Sequence, residues 1–231
     1  MKHNQPSRKR GVPFLLLGLF LILAGCMDFF ILIPEMLLYG LDSLSAMTPL
    51  QNCIHWLLVT AAWGISIAFA FRLSSKYGFT ITDNLQKPGR RKKILLLALV
   101  IFGILFMSYT WEMQFKPLVE YRRFLQSGKM AGTAQFIFQY LYYFMESLLI
   151  FSLTALGQRA GELFFPSQGA ARIPWGGLFC ALTWGMLHGL TKDLETAVLC
   201  IVLSALFGYS YLISNKNIYY AYPAIALIFL L

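Results

Sequence analysis

Seven apolar runs, separated by short polar connections, fill this chain almost from end to end. They cover residues 13–38, 50–71, 94–113, 133–157, 173–190, 196–213 and 217–231. A helix needs about 20 apolar residues to cross the ~30 Å hydrocarbon core of a bilayer, and in lipid each spanning segment must satisfy its own backbone hydrogen bonds. The sequence therefore predicts an all-α, polytopic transmembrane helical bundle with about seven spans. The short last run is expected to end at or near the membrane surface.

The composition leaves no room for a soluble domain. Hydrophobic residues make up 58% of the chain and charged residues only 13%, whereas soluble domains carry about 25% charged residues. The longest connections, 72–93 and 114–132, are too short to bury a hydrophobic core of their own. We therefore predict one integral membrane domain over residues 1–231.

The net charge is +9, but the positive residues are divided among the connections between the apolar runs and do not indicate a nucleic-acid-binding surface. Most of the 19 lysines and arginines lie in the N-terminal tail and in every second connection, above all in 72–93. Positive residues accumulate on the cytoplasmic side of a membrane. The pattern predicts a multi-pass protein in contact with membrane lipid, with its N-terminus in the cytoplasm and its C-terminus outside. We expect the membrane to be a bacterial plasma membrane. The basic connection 114–132 is an exception to this pattern.

The tetrapeptide Leu23-Ala24-Gly25-Cys26 follows a basic tail and an apolar stretch, as a bacterial lipoprotein cleavage box does. A lipoprotein normally continues into a polar tether, whereas here the apolar run continues through residues 27–33. An uncleaved first helix is therefore the better interpretation, with a cleaved lipoprotein as the alternative.

Small residues inside the runs predict close packing. Ser204 and Gly208 have the small-xxx-small spacing that lets membrane helices approach closely. The cysteines form no CxxC pair and are expected to act as small apolar packing residues. They are Cys26, Cys53, Cys180 and Cys200.

Ionisable side chains inside the apolar runs are costly in lipid, so each needs a partner or a function. Glu35, near the end of the first run, is expected to snorkel to the interface, and His55, beside Trp56, is expected to occupy an interfacial position. Asp28 lies deeper, and three roles stay open for it: capping a helix break, pairing with a neighbouring helix, or lining a cavity.

Glu146 lies in the middle of the run 133–157, on a polar face. Gln135, Gln139, Tyr142 and Glu146 follow one another at intervals of four, three and four residues, which places them on one stripe of an α-helix. We expect this stripe to face the interior of the bundle. In the structural interpretation, a protonated Glu146 belongs to an interhelical hydrogen-bond network; in the functional one, its carboxyl group is catalytic.

His188 ends the fifth run, and Trp184 lies one helical turn before it on the same face. As a structural residue, His188 would pack under Trp184 and bond to a carbonyl group. As a functional residue, it would meet Glu146 on an adjacent span, as an acid–base pair or as two metal ligands.

Over residues 133–231, the order of these features is similar to that of a known set of motifs. Glu146-Ser147 stands where that set has a Glu-Glu pair, which is followed by three residues and then an arginine. The segment 182–188 contains an aromatic residue, three residues and a histidine, and the segments 206–211 and 217–219 are similar to the approach to a third motif of His, three residues and Asn. The chain thus resembles the CPBP family of intramembrane proteases, which includes CAAX-processing enzymes and bacteriocin self-immunity proteins.

The resemblance implies a protease-like helical core over residues 133–231. It implies that Glu146 is the general base acting on water, and that His188 is its partner or a ligand of a metal such as zinc. Glu146 and His188 are therefore the candidate catalytic residues, and His188 is the candidate metal ligand.

The chain departs from the family at four positions. Ser147 replaces the second glutamate, Phe151 the arginine, and Ile225 and Phe229 the third motif's histidine and asparagine. Apolar side chains neither bind a metal nor activate water, and a hydrolytic metal site usually has three protein ligands. Asp28 or His55 would complete the set only if the first two helices pack against the core. These departures predict a degenerate member, a pseudoenzyme without a cofactor.

Three functions follow, in order of preference. The first is a non-catalytic scaffold that binds a membrane-bound peptide, a lipid or a protein partner in a cavity lined by Glu146 and His188. The second is an active CAAX-type endopeptidase with Glu146 as general base, with zinc as a cofactor. The third is a small transporter or channel subunit in which these two residues relay protons or hold a cation.

Overall fold

The computed structural model describes residues 7–41, 46–167 and 169–231. Within these ranges all regular secondary structure is helical, which confirms the predicted all-α class. The helices are α1 (Ser7–Gly25), α2 (Met27–Tyr39), α3 (Pro49–Lys76), α4 (Arg90–Thr110), α5 (Lys116–Leu125), α6 (Lys129–Phe164), α7 (Trp175–Cys180), α8 (Met186–Thr191), α9 (Leu194–Ile213) and α10 (Ile218–Leu230). A 3₁₀ turn, Ala170–Arg172, precedes α7, and a π-helical turn, Ala181–Gly185, joins α7 to α8.

Each predicted apolar run is helical, but five helical segments of the described chain are long and apolar enough to cross a membrane. They are Lys9–Tyr39, Pro49–Lys76, Arg90–Thr110, Lys129–Phe164 and Leu194–Ile213. A membrane protein is thus supported, whereas the predicted number of about seven spans is not confirmed. The α10 helix has 13 residues and is about 20 Å long, and the fifth run is divided into pieces of 6, 5 and 6 residues.

The first span is interrupted at Cys26, between α1 and α2. The Cys26 N–H donates to the carbonyl groups of both Ile22 and Leu23, at 3.1 Å each, and Trp63 Nε1 of α3 donates to the Ala24 carbonyl at 2.8 Å. Before the interruption α1 packs along α6, and after it α2 packs against α3. A gap between α2, α3 and α6 follows from this arrangement.

The central helix of the bundle is α6, which packs against α1, α3, α5, α7 and α10. Every residue from Leu149 to Gln158 is buried. A helix that is buried on all sides lies at the centre of its bundle. The polar stripe that includes Glu146 therefore ends about one turn before the most enclosed part of the described chain.

Glycines bring α7 close to both α6 and α9. A Cβ atom added to Gly208 would lie 2.7 Å from the Gly177 Cα, and one added to Gly177 would lie 2.7 Å from the Ser204 carbonyl oxygen. A Cβ atom added to Gly176 would lie 2.1 Å from the Thr154 carbonyl oxygen on α6. The close packing predicted at Ser204 and Gly208 is thus confirmed, and its partner is α7.

The connection 114–132 contains α5, a short helix with two buried charged residues, Lys116 and Glu120. The Glu120 carboxylate accepts hydrogen bonds from Tyr140 at 2.9 Å and Tyr143 at 3.0 Å. Lys116 Nζ donates to the Phe229 carbonyl oxygen at 3.2 Å. Burial lowers the pKa of Lys116, and the Glu120 carboxylate opposes this effect. These contacts attach the end of α10 to α5 and α6.

Candidate functional site

A cavity of about 380 Å³ lies between the α1–α2 segment, α3, α6 and α8. Both candidate catalytic residues, Glu146 and His188, line this cavity, and so do Asp28 and His55. Its polar lining consists of Asp28, Asn52, His55, Gln139, Tyr142, Tyr143, Glu146, Trp184, His188, Thr191 and Lys192. The first two spans therefore do pack against the helices that carry Glu146 and His188.

The polar stripe of α6 faces the interior of the bundle, as predicted. Gln139, Tyr142 and Glu146 line the cavity, and Gln135, further along the same face, is buried and accepts a hydrogen bond from Ser127 Oγ at 2.8 Å. Trp184 Nε1 donates to Glu146 Oε1 at 3.3 Å. Glu146 is thus joined to the helix pair α7–α8 through a tryptophan, in an interhelical hydrogen bond.

Trp184 lies in the π-helical turn between α7 and α8. A π turn shifts the register of the side chains that follow it and is frequent at functional sites. The Trp184 ring is buried, with its centroid 6.2 Å from that of Phe207 on α9 and 6.1 Å from that of Phe229 on α10. The indole N–H is therefore held towards Glu146 by packing of the ring on α9 and α10.

His188 packs against Trp184 and bonds to a carbonyl group, as the structural interpretation predicts. Its Nδ1 lies 2.9 Å from the Trp184 carbonyl oxygen, and the two ring centroids are 4.7 Å apart. When Nδ1–H donates to this carbonyl group, Nε2 is left as the acceptor nitrogen of a neutral ring. No hydrogen bond joins His188 to Glu146 within the described residues; both contact Trp184.

His55 lies between two carboxyl groups. Its Nδ1 is 2.6 Å from Glu35 Oε2, and its Nε2 is 2.9 Å from Asp28 Oδ1. The predicted snorkelling of Glu35 to water is therefore wrong, since its side chain is only 8% exposed. The interfacial position of His55 stays a prediction, and its side chain is 9% exposed because it pairs with the two carboxyl groups. Pairing between α2 and α3 removes the need for Glu35 to reach water. Of the roles left open for Asp28, pairing with a neighbouring helix and lining a cavity are both observed.

The charge of this Asp28–Glu35–His55 cluster follows from proton counting. A neutral imidazole has one N–H group, so it cannot donate to two carboxylates. The smallest number of protons that gives both contacts a hydrogen leaves either an imidazolium between two carboxylates or a neutral His55 with one protonated carboxyl group. Both assignments give the cluster a net charge of minus one, next to the cavity.

The positions where the CPBP motifs would have further polar groups are packed with apolar side chains. Ile225 and Phe229 are buried in the core, and Phe151 packs against the rings of Tyr211 and Tyr222, with centroids 5.8 and 5.9 Å away. Within the described ranges no group of three or more His, Cys, Asp and Glu side chains could hold a metal ion. His188 therefore lacks companion ligands there, and these residues do not fit a zinc site.

Comparison of the chain with protein-family models, with curated proteins and with solved structures gave no match. The resemblance to the CPBP family therefore rests on the motifs around Glu146 and His188 alone.

Proposed function

We propose that this protein is a multi-pass membrane scaffold that binds a membrane-embedded ligand in the cavity between α2, α3, α6 and α8. The observation that carries the proposal is a cavity of about 380 Å³ with Asp28, His55, Glu146 and His188 in its lining. Ligand sites are concave and combine apolar walls with a few polar groups. Ionisable residues kept at membrane depth are usually functional.

Binding without hydrolysis is the better proposal because the hydrogen bonds of the candidate pair have other partners. Glu146 accepts from Trp184, and His188 bonds to a backbone carbonyl. Apolar Phe151 and Phe229 supply no donor for a developing oxyanion, and one missing donor costs about 3 kcal/mol of transition-state stabilisation. On this proposal, residues 133–231 are a protease-like core of a degenerate CPBP member.

Binding is tested at Gly25, the last residue of α1, which lines the cavity. A Cβ atom there would lie 3.5 Å from Leu149 Cδ2, an ordinary contact, so Gly25→Ala is tolerated, whereas a leucine side chain would extend into the cavity. Native mass spectrometry of protein released from nanodiscs should show a bound ligand in wild type and in Gly25→Ala, and about tenfold less in Gly25→Leu. Wild-type protein without any bound ligand, or equal occupancy in all three proteins, would contradict the proposal.

The active endopeptidase remains a second candidate because Glu146 and His188 line the same cavity. If it is correct, purified protein cleaves membrane-embedded peptides, and Glu146→Gln loses this cleavage while its melting temperature stays close to that of wild type.

We also propose that the chain crosses the membrane seven times, with α7–α8 and α10 as shortened crossings. Two connections with basic residues meet at one end of the bundle: Asn84 Nδ2 donates to the Asn215 carbonyl oxygen at 2.5 Å, and Asn215 Nδ2 donates to the Lys87 carbonyl oxygen at 3.4 Å. The contact between Lys116 and Phe229 lies at the other end of α4 and α10. The positive-inside rule then places the N-terminus in the cytoplasm.

Impermeant labelling tests this topology across the segment that contains the π turn. Gly169 and Glu195 are exposed and lie before α7 and after α8. In a chain whose four cysteines are replaced by alanine, an impermeant maleimide added to intact cells should label Glu195→Cys and spare Gly169→Cys until the membrane is opened. Labelling of both positions in intact cells, or of neither, would show that α7–α8 does not cross.

A further inference from the structure

We infer that the cavity binds a primary alkylammonium group, held by carboxylate oxygens, aromatic rings and an amide oxygen. This inference rests on the proposed binding function and names the chemistry of its ligand.

The first observation is the charge of the lining. Asp28 and His55 bring the negative charge of their cluster to the cavity, and Glu146 adds a second carboxyl group. Among the described residues that line the cavity, Lys192 is the only lysine or arginine. Lys116, whose Nζ lies 4.6 Å from the centroid of the Tyr143 ring, does not line the cavity, and the buried Glu120 on the same helix offsets its charge. With Glu146 ionised, one negative charge is therefore left for a bound cation to balance.

The second observation is the aromatic content of the cavity. Trp56, Trp63, Tyr142 and Trp184 line it, and the centroids of the Trp63 and Tyr142 rings are 4.7 Å apart. The faces of such rings attract ammonium groups, most strongly where water is excluded. A hard metal cation would instead need six or more oxygen ligands, so an organic cation fits this lining better.

The third observation is an acceptor without a donor. Gln139 lines the cavity, and its side chain is buried. Its Nε2 donates to the Tyr143 hydroxyl group at 2.7 Å, but its Oε1 has no hydrogen-bond partner in the described part of the chain. A buried polar atom without a partner is costly. The N–H groups of a primary ammonium ion would supply that donor, whereas a quaternary ammonium ion would not.

Lys192 supplies a positive charge that can contact an anionic group on the same ligand. Its side chain is exposed at the rim, after the end of α8, while Glu146 lies deeper in the cavity. A phosphoethanolamine group has a phosphate about one two-carbon unit from its ammonium group, so it could contact Lys192 and the carboxylates together. The same ammonium chemistry is found in free ethanolamine and in the headgroup of phosphatidylethanolamine, and the test separates these two sources.

Tryptophan fluorescence can report occupancy, because three of the chain's five tryptophans line the cavity. The fluorescence of protein in phosphatidylglycerol nanodiscs should change saturably with ethanolammonium chloride and should not change with sodium chloride at equal ionic strength. The affinity for ethanolammonium should be about tenfold higher than the affinity for tetramethylammonium. If the lipid headgroup is the ligand, it competes with added ethanolammonium for the cavity. Replacing part of the phosphatidylglycerol with phosphatidylethanolamine should then raise the apparent dissociation constant for ethanolammonium at least tenfold, whereas replacing it with phosphatidylcholine should not.

Variants connect the response to the cavity. Asp28→Asn and Glu146→Gln should each weaken ethanolammonium binding about tenfold or more, because each removes a charge-assisted hydrogen bond. Glu195→Gln, which removes an exposed carboxylate outside the cavity, should bind as wild type does. The melting temperature of each variant is measured first, and only a variant that melts within a few degrees of wild type is used for binding. With two cavity variants, the loss of one to instability leaves the other to report on binding.

Two outcomes would overturn the ammonium assignment: a wild-type response no larger than that to sodium chloride, or unchanged affinity in both Asp28→Asn and Glu146→Gln. If Gly25→Leu still loses a bound ligand in the mass spectra, the binding function stands and only its chemistry is wrong. If neither experiment detects a ligand, both proposals fail.

Discussion

Replacing His55 with leucine is expected to lower the free energy of unfolding by about 3–5 kcal/mol. The substitution leaves Glu35 and Asp28 without the group that joins them, at distances of 2.6 and 2.9 Å from the imidazole nitrogens. Glu35 is 6% exposed, so its carboxyl group stays buried when the imidazole is removed. Thermal and denaturant unfolding in detergent micelles, followed by fluorescence, would measure the loss.

The cluster offers its own control. Removing all three groups, in Asp28→Leu, Glu35→Leu and His55→Leu together, should recover most of the stability, because apolar replacement of a buried ionic group is often neutral or stabilising. His188→Leu should cost only about 1 kcal/mol, since His188 is half-buried and makes one hydrogen bond to Trp184. A His55→Leu protein as stable as wild type, or a triple variant less stable than His55→Leu, would show that the cluster does not hold α2 to α3.

Local periodicity predicted the parts of the site that lie on one helix. The spacing of Gln139, Tyr142 and Glu146 placed them on one face, and the spacing of Trp184 and His188 placed one ring against the other; both predictions are confirmed. These contacts depend only on the pitch of the α-helix. Their spatial relation to the first two spans depends on packing that periodicity does not describe.

The Asp28–Glu35–His55 cluster could not be predicted in this way. Hydropathy gives the depth of Glu35 in the membrane but not the helix beside it. Snorkelling was therefore the simplest expectation, whereas the interruption at Cys26 and the packing of α2 on α3 give Glu35 a histidine partner instead. The chain reverses direction between Glu35 and His55, and no local rule fixes which faces of the two helices then meet.

The number of spans shows a similar limit. An apolar run predicts a helix in lipid, and every run is helical. A run does not show that a π turn divides its helix, as at Ala181–Gly185, or that its helix is only 13 residues long, as in α10. The α5 helix was not predicted because its length and its buried Lys116 and Glu120 resemble a solvated connection.

Replacing Gly208 with leucine is expected to lower the free energy of unfolding by about 3 kcal/mol, the upper part of the usual range for overpacking. A Cβ atom on Gly208 would already lie 2.7 Å from Gly177 Cα and 2.8 Å from Gly177 N. Both atoms belong to the backbone of α7, so no side-chain rotation can relieve the clash, and α7 must move away from α9.

That movement should also reach the cavity. The π turn that carries Trp184 follows α7 directly, so a displaced α7 should weaken the bond from Trp184 Nε1 to Glu146 and reduce ligand occupancy as well as stability. Gly208→Ala should cost less than Gly208→Leu, and Gly169→Leu should cost almost nothing, because nothing lies within 4 Å of a Cβ atom at Gly169. Equal unfolding midpoints for Gly208→Leu and Gly169→Leu would mean that α7 and α9 are not held in contact at their glycines, and the position of Trp184 would then need another cause.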